Sequence, residues 1–166
     1  MLIILGGLPG VGKTAIAQEL ARQLSAVHLR IDSIEQAIRN SETLTRPLHD
    51  AGYMVAYAVA LDNLKVGRTV IADSVNPLSI TRDAWVDVAL RARTDAIEIE
   101  VVCSDPREHQ RRVETRTIDI PGSRLPTWQE VLARDYQPWG REHIVVDTAG
   151  SNIEQAVQTL RRRLSQ

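Results

Sequence analysis

Cysteine is almost absent from this sequence, and neither sign of charge dominates it. Cys103 is the single cysteine, so no disulfide can form within the chain and a reducing compartment fits best. Lysine and arginine number 20 against 21 aspartate and glutamate residues, which leaves a formal net charge of −1. This balance gives no overall attraction to nucleic acid or to an anionic membrane, and it leaves only a local basic patch as a route to nucleic acid.

Long apolar runs and metal-binding patterns are also missing. The opening run MLIILGGLPG is broken by glycine and proline after Leu5, so it is too short for a signal peptide or a membrane span. The four histidines show no spacing typical of metal ligands. We therefore expect a cytoplasmic protein that has no membrane partner and no metal site built from histidine.

Short aliphatic segments alternate with helical patterns along the 166 residues. Runs of this kind, bounded by turn residues, are typical of parallel strands that are covered on both faces. The alternation predicts an α/β fold, a three-layer α/β/α sandwich forming a single domain over residues 1–166. The predicted strands are Leu2 to Leu5, Val27 to Ile31, Thr69 to Ala72, Ile97 to Cys103 and Ile144 to Val146.

Three longer segments carry predictions of their own. The segment from Ala51 to Leu64 is apolar on nearly all sides, which predicts a helix buried between the sheet and another layer. The polar stretch from Asn40 to Asp50 contains Pro47 and predicts a surface loop. The stretch from Ile118 to Thr127 holds two prolines and a glycine between two helical patterns, which predicts a further loop.

The segment GLPGVGKT carries the strongest motif in the chain. It follows a predicted strand and opens a predicted helix, which is the context that a phosphate-binding P-loop requires. Its glycines let backbone N–H groups approach phosphate oxygens, and the start of the helix adds partial positive charge. The context disfavours the alternative, a glycine-rich turn without a ligand. The predicted nucleotide-binding residues are Gly7, Leu8, Pro9, Gly10, Val11, Gly12, Lys13, Thr14 and Ala15.

Two side chains of this motif have predicted roles of their own. Lys13 supplies a positive charge to the β- and γ-phosphates of a nucleotide, and the Thr14 hydroxyl coordinates Mg²⁺. The predicted ligands are therefore ATP and Mg²⁺. The motif itself serves GTP as well as ATP, and it leaves open whether water or another acceptor receives the phosphoryl group.

A candidate acceptor position follows the second predicted strand, where the sequence reads RIDSIE. The carboxyl ends of parallel strands line the ligand crevice, so we expect Asp32 to face the same cavity as the P-loop. There its carboxylate is able to accept the proton of an acceptor hydroxyl during phosphoryl transfer. The same letters read equally well as a capping box from Asp32 to Glu35, so a base, a helix cap or both roles stay open.

The third predicted strand ends in VIADSVNP, which contains a second strand-end carboxylate. Asp73 takes the place at which a P-loop protein holds Mg²⁺ directly or through water. The alternative is a residue that only stabilises the turn or the next helix. We predict that Asp73 and Thr14 together serve the metal ion.

An arginine-rich segment follows the fourth predicted strand. Asp105 and Pro106 predict a helix start, and the loop after this helix leads into a second helix from Trp128 to Asp135. Arg112 and Arg116 lie one helical turn apart, so both are able to reach the phosphoryl group. Residues 104–135 are therefore predicted to form a lid, and the alternative is a solvated helix with Glu–Arg pairs.

Aromatic side chains near the lid permit two interpretations. Trp128, Tyr136 and Trp139 are able to stack on a base or ring, but packing at the base of the lid is the commoner role. Arg141 and the turn from Asp147 to Ala149 are placed near an adenine by topology alone.

With these motifs in order, the chain resembles the small P-loop kinases grouped with zeta toxins, polynucleotide 5′-kinases and chloramphenicol phosphotransferases, of the AAA_33 type. GLPGVGKT, LRIDSIEQAI, TVIADSVNP and DPREHQRRVETR carry the resemblance, which covers nearly the whole chain. It implies a nucleoside-monophosphate-kinase-like fold with sheet order 2-3-1-4-5, Asp32 as base, and Arg112 and Arg116 as lid arginines. Polynucleotide kinases follow their aspartate with a phosphate-binding arginine, whereas here Ser33 to Glu35 follow, which disfavours a nucleic-acid substrate.

The sequence therefore favours an ATP-dependent kinase that phosphorylates a hydroxyl of a small molecule. A second hypothesis is a kinase for nucleosides, RNA ends or nucleotide sugars. A third, of another class, is a non-catalytic ATP-binding switch that signals through its lid. The acceptor itself is not specified, because substrate pockets in this fold are built from variable helices and loops.

Overall fold

A five-stranded parallel sheet of order β2-β3-β1-β4-β5 forms the centre of the computed structural model, which describes residues 1–41 and 48–164. The strands are β1 Leu2–Gly6, β2 Val27–Arg30, β3 Val70–Asp73, β4 Ala96–Val102 and β5 Ile144–Asp147. The helices of the described residues are α1 Lys13–Leu24, α2 Ile31–Asn40, α3 Ala51–Lys65, α4 Ser79–Ala92, α5 Pro106–Thr115, α6 Trp128–Leu132 and α7 Ile153–Leu164. The predicted fold class and strand order are confirmed.

Strand β1 lies between β3 and β4 and is buried along its whole length. Because side chains alternate across a strand, Leu2 and Ile4 pack into one core with α3 and α4, whereas Ile3 and Leu5 pack into a second core with α1 and α7. The two cores explain why the strands read as continuous apolar runs rather than as alternating patterns. All five strands run in one direction, so the residues that follow them meet at one edge of the sheet.

Helix α3 differs from its predicted environment. Ala56, Ala60 and Leu64 face the sheet side, but Met54 and Val55 are 59% and 43% exposed. No second layer covers the outer side of α3 within residues 1–41 and 48–164, so the predicted burial on all sides is wrong. Apolar residues on every side of a helix give the same pattern whether or not a further layer is present.

Several boundaries also differ from the sequence-based prediction; α6, for example, ends at Leu132 rather than at Asp135. Helix α2 begins at Ile31, which was expected to end the second strand. The segment from Asn40 to Asp50 lies partly outside the described residues; Asn40 ends α2, and Asp50 directly precedes α3. Among the helices that the structure describes, none is long and apolar enough to cross a membrane.

Candidate active site

The loop between β1 and α1 contains three glycines at positions that disfavour residues with a side chain. Gly7, Gly10 and Gly12 have φ angles of 139°, 88° and 98°, which L-residues with a side chain rarely adopt. A Cβ atom at Gly7 would lie 2.2 Å from the carbonyl oxygen of Val101. The P-loop is therefore a tight backbone turn that lies directly against β4.

Lys13 is buried at the start of α1, and its Nζ donates a hydrogen bond of 2.9 Å to the Leu8 carbonyl oxygen. Burial lowers the pKa of this ammonium group to about 8, although the carboxylates of Asp73 and Asp32 raise it. Arg116 and Arg134 act in the opposite direction, because they are positive charges near the same group. Two carboxylates and two arginines therefore lie close enough to Lys13 to affect its charge.

A cavity of about 1180 Å³ adjoins the P-loop. Six of the nine predicted nucleotide-binding residues line it, whereas Gly7, Leu8 and Val11 do not. The structure brings together in this cavity every side chain predicted for catalysis or metal binding. These are Lys13, Thr14, Asp32, Asp73, Arg112 and Arg116.

Asp32 lies in the first turn of α2, and its carboxylate has no hydrogen bond or ion pair within the described residues. Arg30 is the N-cap residue and no side chain caps this helix, so the predicted capping box is wrong. Ile31 is buried, and the chain passes from β2 into α2 without a loop, which shifts Asp32 into the helix. The negative carboxylate still favours the positive end of the helix dipole, but it is free to contact a ligand.

Asp73 is 2% exposed at the end of β3, and its Oδ2 lies 3.1 Å from His28 Nε2. Its other carboxylate oxygen has no hydrogen bond in the part of the chain described here. Mg²⁺ usually takes one or two protein oxygens together with phosphate oxygens and water. The Thr14 hydroxyl and the Asp73 carboxylate therefore fit an ion shared with a nucleotide, and no cluster of three metal-ligating side chains occurs among the described residues.

The two predicted lid arginines face different neighbours. Arg112 donates to the Thr148 hydroxyl at 2.8 Å and to the Thr148 carbonyl oxygen at 2.9 Å, and it forms an ion pair with Glu108 one helical turn away. Arg116 is half-buried, and burial lowers the pKa of its guanidinium group beside Asp32 and Asp119. Arg112 thus holds the turn after β5 through Thr148, whereas Arg116 lies near Asp32, the candidate base.

His109 was not singled out from the sequence. It is buried on α5, and its Nε2 lies 2.8 Å from the Pro9 carbonyl oxygen of the P-loop. Its ring also meets the ring of Trp128 edge to face, with centroids 5.0 Å apart. His109 therefore connects the P-loop to α5 and α6, the two helices of the predicted lid. No motif in the sequence indicates this contact, because it joins residues 100 positions apart.

Removal of the His109 donor is expected to weaken ATP binding. His109→Leu leaves the Pro9 carbonyl oxygen without its partner, which destabilises the ordered P-loop by about 1–3 kcal/mol. ATP must then order the loop as it binds, so we expect about a tenfold rise in the ATP dissociation constant. His109→Gln keeps an N–H donor and serves as the matched control. Calorimetric titration with ATP measures both, and equal dissociation constants for the two variants and the wild type would contradict this role.

The aromatic residues near the lid pack against protein rather than line the cavity. Trp139 stacks on His143 and donates a hydrogen bond of 2.8 Å to the Tyr136 hydroxyl, while Trp128 packs on His109. The packing interpretation is confirmed. Arg141 pairs with Glu98 at 2.8 Å and does not line this cavity, whereas Thr148 of the turn after β5 does.

Comparison with known proteins supports the fold. The chain matches the AAA domain family AAA_33 over residues 2–134. It is similar to a candidate kinase from Chloroflexus aurantiacus, with 23% identity, a TM-score of 0.75 and coverage of 99% of this chain and 95% of that one. No curated protein matches the chain.

Two further solved structures share this fold over almost their full length. The APS kinase of Mycobacterium tuberculosis in complex with AMPPNP and APS is 18% identical, with a TM-score of 0.72 and coverage of 99% of this chain and 97% of that one. A gluconokinase from Sinorhizobium meliloti 1021 is 20% identical, with a TM-score of 0.63 and coverage of 98% and 94%. At these identities the likeness concerns the fold.

Proposed function

This chain belongs to the AAA domain family AAA_33, in which we propose that it acts as an ATP-dependent kinase for a hydroxyl group of a small molecule. The observation that carries this proposal is the Asp32 carboxylate, which has no partner among the described residues and shares a cavity with the P-loop. The kinase names of the structural neighbours agree with it. We further propose that residues 1–166 are one kinase domain, with residues 104–135 as its lid and a cytoplasmic location.

The donor end of the cavity is built for the phosphates of ATP. The P-loop supplies backbone N–H groups, and Lys13 supplies a positive charge for the β- and γ-phosphates. Thr14 and Asp73 would hold Mg²⁺, which when bound adds positive charge beside the phosphate oxygens. The roles of these groups are to hold and orient the γ-phosphoryl group toward Asp32.

The transfer step follows from this arrangement. The acceptor hydroxyl gives its proton to Asp32 while its oxygen forms a bond to the γ-phosphorus. The bond between that phosphorus and the bridging β–γ oxygen breaks, and ADP leaves with the electron pair. The products are a phosphate ester and ADP, and Asp32 then releases its proton to water.

Arg116 and Arg112 are expected to contribute to different kinetic constants. Arg116→Gln removes a positive charge near Asp32 and Lys13, so kcat should fall about 10²-fold. Arg112→Gln breaks contacts with Thr148, so it should mainly raise the KM for ATP, by about tenfold. Steady-state kinetics separates the two effects, and an equal loss of kcat in both variants would contradict this division.

ATP binding is expected to weaken above the pKa of Lys13, which is about 8. Phosphate oxygens stabilise the charged ammonium form, so the protein without nucleotide must take up a proton on binding once the pH exceeds that value. The dissociation constant should rise about tenfold per pH unit above pH 8. Titrations at pH 7.5, 8.5 and 9.5 in EDTA measure this without a metal ion. Lys13→Arg stays charged, so its constant should not change with pH, and a flat wild-type profile would contradict the prediction.

Product formation from defined acceptor pools tests the proposed activity. The protein is incubated with Mg²⁺ and ATP labelled in the γ-phosphate, together with nucleosides, 5′-hydroxyl oligonucleotides, nucleotide sugars or small hydroxyl compounds. Label in a small hydroxyl compound is the expected result. Label in one of the other pools would favour the second class of kinase. ATP binding without product from any pool would favour the non-catalytic switch.

A further inference from the structure

In the end of the cavity that surrounds Asp32, carboxylates of the protein pair with Arg30, Arg39 and Arg124. We define this acceptor end as the part lined by α2, the start of α3 and the loop after α5. We infer that the acceptor is a hydroxyl compound without negative charge, either a neutral polyol or an amino alcohol. The inference rests on the proposed kinase function and narrows its substrate class.

Arg30 is the most enclosed of these positive charges. Its two terminal nitrogens donate to both carboxylate oxygens of Asp119, at 2.5 and 3.2 Å, and its side chain is only 17% exposed. This paired geometry is the strongest arrangement open to an arginine and a carboxylate. It also holds the pKa of Asp119 below its ordinary value. A substrate anion would have to displace Asp119 to reach Arg30.

Arg39 and Arg124 at the acceptor end are also paired. Arg39 donates to Glu35 at 2.9 Å on the same face of α2, and Arg124 donates to Glu130 at 2.7 Å. Arg124 is 76% exposed, so its pair contributes little energy, but the charge of its guanidinium group is still balanced. Among the described arginines near this end, only Arg116 has no carboxylate partner, and it also lies near Lys13, where the transferred phosphoryl group would occupy it.

In residues 1–41 and 48–164, two arginines without an ion pair lie near Lys13, whereas two carboxylates without a partner line the acceptor end. Arg116 and Arg134 have no ion pair within the described residues, and both lie near Lys13. Arg116 also lies near Asp32, so it borders both ends of the cavity. At the acceptor end, Asp32 and Asp50 line the cavity without a hydrogen bond or ion pair in the described part of the chain. Two carboxylates repel an anionic group and attract hydroxyl or ammonium donors.

Neutral polar groups complete the acceptor end. The hydroxyl of Tyr53 and the side-chain amide of Gln36 line it beside Asp32. Burial raises the pKa of Tyr53, so this hydroxyl stays uncharged and is able to bind another hydroxyl group. Carboxylates, an amide and a phenol together match a compound with several hydroxyl or amino groups.

A fractionated metabolite extract tests the charge of the acceptor. Anion exchange at pH 8, where histidine side chains are mostly neutral, separates unretained neutral and cationic compounds from retained anions. Each fraction is incubated with the protein, Mg²⁺ and γ-labelled ATP. We expect at least about tenfold more labelled product from the unretained fraction, which corresponds to about 1.4 kcal/mol of discrimination. Product mainly from the retained fraction overturns the inference, whereas no product from either fraction contradicts the proposed kinase function itself.

A variant of the Arg30 partner gives a second, independent test. Asp119→Asn frees the Arg30 guanidinium for an external anion, and inorganic phosphate serves as the probe. At saturating ATP, phosphate should inhibit phosphorylation of the unretained fraction. Its inhibition constant should be at least about fivefold lower in this variant than in the wild type. Asp87→Asn removes an equal charge from an exposed pair with Arg91 outside the cavity and should behave as the wild type. Equal, strong competition in all three proteins would show that Arg30 is already open to anions and would overturn the inference.

Discussion

Replacement of Asp32 by asparagine is expected to lower kcat for phosphoryl transfer by about 10³-fold and to leave ATP affinity unchanged. The variant keeps the size and shape of the side chain but removes the group that accepts the hydroxyl proton. No hydrogen bond or ion pair of the described residues is lost, because the Asp32 carboxylate makes none. This single substitution should therefore lower kcat without changing the dissociation constant for ATP.

The measurement combines steady-state kinetics with calorimetric titration of ATP. Asp62→Asn is the matched control, because Asp62 is exposed on α3 and does not line the cavity. It should leave both kcat and ATP affinity within about twofold of the wild type. Transfer retained by Asp32→Asn would remove Asp32 from the mechanism. A parallel loss of ATP affinity would instead assign it a role in building the nucleotide site.

The fold was predictable because its signals are local. Strands such as β1 and β3 are buried on both faces, so each reads as a short aliphatic run, and the helices between them give separate periodic patterns. The exposure of Met54 and Val55 on α3 was not predictable. The sequence records only that these residues are apolar, and whether another layer covers them depends on how the chain folds elsewhere.

The candidate site was predictable where the topology of a parallel sheet determines position. The P-loop, Asp32 and Asp73 all follow strands, and such residues meet at one edge of the sheet whatever lies between them. The start of α2 was not predictable to one residue, because buried Ile31 begins the helix without a loop. The sequence from Asp32 to Glu35 matches a capping box, but no side chain of the described residues caps α2 in the structure.

Contacts between distant residues carry no local signal. His28 meets Asp73 across 45 positions, Arg30 meets Asp119 across 89, and His109 meets Pro9 across 100. Each depends on how neighbouring strands align or on how the lid packs against the P-loop and β2. The sequence predicts a hydroxyl acceptor, and the proposed charge of that acceptor rests on ion pairs between distant residues.

Gly7→Ala is expected to be the most destabilising change in the P-loop. The added Cβ would lie 2.2 Å from the carbonyl oxygen of Val101, and the φ angle of 139° is unfavourable for alanine. Gly7 cannot move away easily, since its N–H donates to the Val75 carbonyl oxygen at 3.0 Å on the other side. Strain and overpacking together should reduce the free energy of unfolding by about 3–5 kcal/mol.

Gly67→Ala is the matched control for Gly7→Ala. Gly67 also has a positive φ, 80°, but an added Cβ there meets no heavy atom within 4 Å. Its substitution should therefore show backbone strain alone, about 1 kcal/mol, or a fall in melting temperature of about 2–4 °C. Thermal unfolding should show a fall of about 10 °C or more for Gly7→Ala. Equal shifts in the two variants would mean that positive φ alone, rather than contact with β4, requires glycine at position 7. The larger shift at Gly7 would instead mean that the phosphate-binding turn keeps its shape because it packs directly on the backbone of the sheet.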